Sequence, residues 1–105
     1  MSSDHVIVTT TAGSEAAAHE LAAGVVAARL GACAQIVPIA SVYRWEGAVR
    51  TEPEWRVEVK TTATRAEALT AHLREVHSYD LPEIVVTPIA GGSDAYLAWL
   101  SAETD

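Results

Sequence analysis

The side chains able to do chemistry in this chain are few and scattered: His5, His19, His72, His77, a lone Cys33, Glu46, Glu83 and further carboxylates. The densest group is His77-Ser78-Tyr79-Asp80-Leu81-Pro82-Glu83, which packs an imidazole, a phenol and two carboxylates into seven residues. Polar groups on a loop held by rigid elements are where ligand contacts gather. A histidine ending a helix before a proline turn would have the same composition for structural reasons alone. Cys33 reads either as a soft metal ligand or redox-sensitive thiol or as a small buried hydrophobe. One cysteine excludes an internal disulfide and a multi-thiolate zinc site within one chain. Any metal must therefore lean on histidine, carboxylate or a second subunit. His19 and His72 lie outside the apolar stripes of their segments and read as solvated, and His5 enters a strand. Lys60, the only lysine, either neutralises an anion or solvates a sheet face. No phosphate-binding glycine loop, nucleophile elbow, His-Glu-x-x-His or Cys-x-x-Cys occurs. With no nucleophile and base pair to name, the expectation is a protein that is not an enzyme.

The elements that must position these residues follow from periodicity. His5 to Thr11 is a β-branched run ending at Ala-Gly, a buried strand and its turn. Ser14 then caps a helix in which Ala18, Leu21, Ala22, Val25, Val26, Arg29 and Leu30 recur at helical spacing until Gly31. From Val49 to Thr61 odd positions read Val, Thr, Pro, Trp, Val, Val, Thr and even ones Arg, Glu, Glu, Arg, Glu, Lys. A period of two over such a length is a strand with one wet face. Cys33 opens the preceding strand, and Ala34 to Glu46 puts Ile39, Ser41, Tyr43 and Trp45 on one side. Glu46-Gly47-Ala48 supplies the reversal. Each arm of this hairpin spans about 40 Å at ~3.3 Å per residue, too long for the core of so small a domain. An overhanging ribbon carrying Tyr43, Trp45 and Trp55 cannot bury them within its own chain, which predicts a homo-oligomer with these rings at the interface. Thr64 caps a second helix with Ala66, Leu69, Leu73 and Val76 inward, ending near His77-Ser78. Glu83 to Ile89 is a fourth strand, and Ser93 caps a third helix holding Tyr96, Leu97, Trp99 and Leu100. The order βαββαβ plus a terminal helix predicts an α+β, ferredoxin-like fold: an antiparallel sheet with both main helices on one face.

Composition bounds the partners. The 105 residues suit a single domain over 1–105, and a chain half hydrophobic and 20% charged is not disordered. A formal charge of -7 is the wrong sign for phosphate backbones or anionic lipid, so neither nucleic acid nor a membrane surface is an expected partner. Apolar runs stay far below the ~20 residues needed to cross a bilayer. Met1 to Asp4 has neither a basic start nor an apolar core, which makes cytoplasmic the expected location.

Several motifs in order then become informative together. Arg29-Leu30-x-Ala32-Cys33-x-x-Ile36, Ser41-Val42-Tyr43-Arg44-Trp45-Glu46-Gly47, Glu54, Lys60-Thr61, His77-x-Tyr79-x-x-Pro82-Glu83-Ile84 and Tyr96-Leu97-x-Trp99 resemble the CutA family of divalent-cation tolerance proteins, from about Val6 to Trp99. The resemblance implies a homotrimer of ferredoxin-like subunits, similar in architecture to PII signalling proteins, that binds a divalent metal without holding it tightly. It implies Cu(II), or else Zn(II), with Cys33 as soft ligand, His77 as imidazole and Glu83 as carboxylate. An alternative from the same resemblance is a sensor binding a small anionic metabolite in an inter-subunit cleft formed by Lys60, Tyr79, Glu83, Tyr43 and Trp45. Gly31, Ala34-Gln35 and Ser78 depart from the family pattern, where alanine, Val-Asn and proline are common.

Overall fold

The computed structural model describes residues 4–105. The expectation placed on Met1 to Asp4 falls almost wholly on residues 1–3, which lie outside the described residues. In chain order the elements are β1 (His5–Ala12), α1 (Glu15–Ala27), β2 (Cys33–Trp45), β3 (Ala48–Thr62), a 3-10 turn (Ala63–Arg65), α2 (Ala66–Val76), β4 (Ile84–Pro88) and α3 (Asp94–Glu103). The strands form one sheet in the order β2-β3-β1-β4, each neighbouring pair antiparallel. This is the split-βαβ arrangement expected from the element order.

Strand alternation decides which face is covered. Val6, Val8 and Ala12 of β1 and Val57 and Val59 of β3 are buried against Ala18, Ala22 and Val25 of α1 and Leu69 and Leu73 of α2. Both main helices thus lie on one face. The other face carries Ile7 beside Lys60 and Cys33, and Thr9 beside Glu58 and Gln35. There α3 reaches the strand ends: His5 Nε2 lies 2.9 Å from Ser101 Oγ, and Lys60 Nζ sits 5.6 Å from the Tyr96 ring centroid.

The hairpin is long because it outruns this core. Odd residues of β3 are buried from Val57 onward, while every residue from Ala48 to Pro53 is exposed. The molecule extends 44 Å along its longest axis against 28 and 22 Å across. The overhang expected from strand length is therefore present. Its reversal is tighter than expected: Trp45 pairs with Ala48, and Glu46 and Gly47 both have positive φ, 50° and 79°. Two left-handed residues are what a two-residue type I′ hairpin requires.

Three local expectations need correction. Helix α1 stops at Ala27, not near Leu30, because Arg29 takes φ 60° and Leu30 N–H bonds back to Val25 O at 3.1 Å. With Arg29 N–H on Val26 O, this is a Schellman ending with arginine where glycine is usual. Thr64 lies inside the 3-10 turn and its hydroxyl meets that of Thr62, so it does not cap α2. Val76, read as inward, is 50% exposed, and Val26, part of the apolar repeat of α1, is 41% exposed.

Candidate functional site

The loop between α2 and β4 is tied down by its first residue. His77 ends α2, its N–H bonding Leu73 O at 2.9 Å. Its Nε2 lies 2.7 Å from Thr11 O, and Tyr79 N–H donates to its Nδ1 at 3.0 Å. A carbonyl can only accept, so Nε2 carries the proton and Nδ1 offers the lone pair. Both ring nitrogens are thereby engaged in holding the loop against the end of β1. The Tyr79 ring tilts over the imidazole, centroids 4.7 Å apart, and its hydroxyl donates to Glu54 Oε2 at 3.0 Å. Gly13 permits this approach, since a Cβ there would lie 3.0 Å from the phenol oxygen.

This anchoring opens a cleft of about 720 Å³ between the loop and the hairpin. Pairing of Ile39 with Glu54, Ser41 with Glu52 and Tyr43 with Arg50 puts Tyr43 and Trp45 on the sheet face that carries Glu52 and Glu54. Asp80 and Glu83 face them from the loop, with Val42, Leu81 and Pro82 supplying apolar wall. Desolvation first, and then the bond to Glu54, push the Tyr79 phenol up to about 12. Partial desolvation, followed by the Glu52 carboxylate beside it, raises that of Tyr43. Both phenols stay protonated over the neutral range, Tyr79 as a donor to Glu54.

The expected site residues are divided by this geometry. Tyr79, Glu83, Tyr43 and Trp45 meet in the cleft. Cys33 and Lys60 do not: they are cross-strand partners at the far end of the hairpin's base, six residues along β3 from Glu54, about 20 Å at ~3.3 Å per residue. Lys60 instead stacks on Tyr96, so within one chain the anion-binding reading loses its cation. Among the described residues no three His, Cys, Asp or Glu side chains are grouped to hold a metal ion. Cys33, His77 and Glu83 are accordingly not assembled within a single chain. Trp55 lies on the helix-bearing face, pairs with Ala12 and packs half-buried against its own core. Thr11, Gly13, Glu52 and Glu54 are the contributors that motif reading left out of the site. The parity of the hairpin pairing was the signal that could have found the two glutamates.

A family model described as CutA1 divalent ion tolerance protein matches residues 6–103. The chain belongs to the CutA1 divalent ion tolerance family. It is 44% identical over 98 residues to the divalent-cation tolerance protein CutA of Escherichia coli K12 / DH10B, covering 92% of this chain and 88% of that protein. It is 43% identical over 100 residues to Protein CutA, chloroplastic, of Arabidopsis thaliana, covering 94% of this chain and 55% of that one. The chain thus spans about half the length of the plant relatives it matches, 55% in Arabidopsis thaliana and 56% in Oryza sativa. Among solved structures, CutA of Synechococcus elongatus PCC7942 superposes with a TM-score of 0.95 at 38% identity, covering 99% of this chain and 93% of that one. The divalent cation tolerance protein of Thermus thermophilus gives 0.92 at 40% identity, with coverages of 96% and 99%. Members carry different compartment names, chloroplastic in Arabidopsis thaliana and periplasmic in Archaeoglobus fulgidus. No helix of the described residues is long and apolar enough to cross a membrane.

Proposed function

We propose that this CutA1 family member is a non-enzymatic divalent-cation tolerance protein that assembles as a homotrimer and holds its cation between subunits. The observation that carries this reading is the separation of donors within one chain. Cys33 lies at the base of the hairpin, Glu83 lies in the loop cleft, and among the described residues no three metal-binding side chains come together. A family named for divalent cations whose donors stay apart in one subunit is best served by a site that association completes.

The overhanging hairpin supports the association. It leaves Val42 68%, Val49 65%, Trp45 39% and Tyr43 36% exposed, and apolar side chains gathered on one ribbon are the mark of an interface. A thiolate favours Cu(II), then Zn(II), over magnesium or calcium. Of the expected set, Cys33 is a free thiol at a partly exposed position, and Glu83 lines the cleft. His77 joins them only by giving up one of its two hydrogen bonds.

Native mass spectrometry of the reduced protein, with and without one equivalent of Cu(II), tests both halves. The expected species has three times the 11.1 kDa chain mass and takes up one copper per subunit, with uptake lost in Cys33→Ala. A monomer overturns the assembly, and a trimer that ignores copper overturns the metal assignment.

A further inference from the structure

His77 is the one imidazole in the expected cation-binding set, and both of its nitrogens are already spent on backbone groups. Nε2 donates to Thr11 O at 2.7 Å, and Nδ1 accepts from Tyr79 N–H at 3.0 Å. Thr11 is 3% exposed and lies one residue past the pairing of β1 with β4, which ends at Thr10 with Ile84. The ring thus supplies a donor just where the β4 ladder has run out. The Tyr79 ring covers it, centroids 4.7 Å apart, and the His77 N–H closes α2 on Leu73 O.

A metal ion fits neither nitrogen while the loop stands this way. A Zn–N bond takes about 2.0–2.1 Å, so an ion on Nε2 would all but coincide with the Thr11 oxygen, and one on Nδ1 would fall against the Tyr79 amide nitrogen. Nε2 also has a lone pair to give only after losing the proton that faces the carbonyl. We infer that His77 is a positioning residue and not a metal ligand: its imidazole, locked as the Nε2–H tautomer between Thr11 O and Tyr79 N–H, fixes the loop that carries Tyr79 and Glu83. The bond made by one ring nitrogen sets the role left to the other. Through Tyr79 this strut reaches Glu54 Oε2 at 3.0 Å, and through Pro82 and Glu83 it reaches the start of β4 at Ile84. The donors left for a cation between subunits are Cys33 and oxygen groups, and His77 acts on them only through the placement of Glu83. That last step rests on the cation reading, whereas the strut stands without it.

The test is ¹⁵N NMR of the imidazoles in the reduced full chain, before and after one equivalent of Zn(II), whose filled d shell keeps the spectrum readable. Calorimetry of the same sample reports uptake. His77 is expected to be the Nε2–H tautomer, with neither ring nitrogen showing a coordination shift when zinc is bound. His77→Gln, whose amide N–H can reach Thr11 O, should keep zinc affinity within about threefold, where loss of a ligand costs far more. The Tyr79 phenol, pushed up to about 12 in the parent, should fall towards its ordinary value in His77→Ala and stay high in His77→Gln. The opposite tautomer, a coordination shift at either nitrogen, or loss of zinc uptake in His77→Gln overturns the proposal. Should the variants fail to fold, the tautomer and the zinc response of the unmutated chain decide. A parent that takes up no zinc removes the cation reading alone, and the tautomer then decides the strut.

Discussion

The phenol of Tyr79 donates to Glu54 Oε2 at 3.0 Å and so ties the loop after α2 to the hairpin strand β3. Residues 25 apart in sequence become the two sides of one wall. The contact exists because His77 has already been pinned to Thr11 O, and because Gly13 leaves room for the ring.

Alkaline pH should loosen that wall. Desolvation and the Glu54 bond raise the Tyr79 phenol to about 12 from its ordinary 10.0. A proton held more tightly in the folded chain stabilises it fully below the unfolded value, and the contribution disappears as pH rises through the folded one. Thermal melts should therefore show Tyr79→Phe less stable than the parent at pH 8, with the gap closing between pH 10 and about 12. Absorbance titration of the tyrosines should lose its latest step in the same variant. An equal gap at pH 8 and pH 12 would detach the pH effect from this phenol.

Gly31 should not tolerate alanine. A Cβ there would run into Val59 Cγ1 and come within 3.1 Å of Val25 Cγ1, both on fully buried side chains. Overpacking of this kind costs about 1–3 kcal/mol, or roughly 4–8 °C of melting temperature per kcal/mol for a domain of this size. Adding Val59→Ala should recover part of the loss, because the clash partner is gone. The departure from alanine at this position is thus matched to the valine it faces.

Arg29 spends its side chain compensating for its backbone. At φ 60° it occupies a region that costs a non-glycine residue about 1 kcal/mol. Its guanidinium donates to Ala102 O at 2.9 Å and Asp105 O at 3.2 Å, at the end of α3 where carbonyls lack partners. Arg29→Ala keeps the strain and loses the bonds, so it should destabilise by about 1–2 kcal/mol. Arg29→Gly loses the bonds but relieves the strain and should cost less. Chemical denaturation of both variants checks the order, and a glycine variant no better than alanine would place the effect elsewhere.

Legibility in the sequence followed the strength of the periodic signal. The clean alternation of Val49 to Thr61 and the apolar spacing of Leu69 and Leu73 specified the sheet and helix faces that the structure shows. The site was harder because it depends on parity between strands. A three-residue reversal at Glu46-Gly47-Ala48 would pair odd residues with odd ones and group Tyr43 and Trp45 with Trp55. The two-residue turn pairs Trp45 with Ala48, so Tyr43 and Trp45 share their face with Glu52 and Glu54 instead. One residue of turn length moves every side chain to the opposite face, and with it the charge of the cleft. The separation of Cys33 from His77 was equally hidden, since motif order carries no distances. The bonds from His77 to Thr11 O and from Arg29 to α3 join residues 66 and 73 or more apart, and no local pattern announces them.

Trp45 and Trp55 should behave as opposites, and the contrast tests how the hairpin is used. Trp55 packs on the core of its own chain beside Ala12. Trp45, 39% exposed near the hairpin tip, has no ring partner among the described residues. Trp55→Ala removes packing inside the subunit and should cost about 3 kcal/mol whatever the protein concentration. Trp45→Ala removes little from an isolated subunit, but a ring that anchors an interface is worth about 2 kcal/mol or more to association. Its melting temperature should fall below that of the parent, by more at low protein concentration, because assembly then enters the equilibrium by mass action. Sedimentation of Trp45→Ala should show dissociation at concentrations where the parent stays assembled. A Trp45→Ala variant with unchanged mass and a melting temperature independent of dilution would show that the overhang serves the cleft and not the contact between copies.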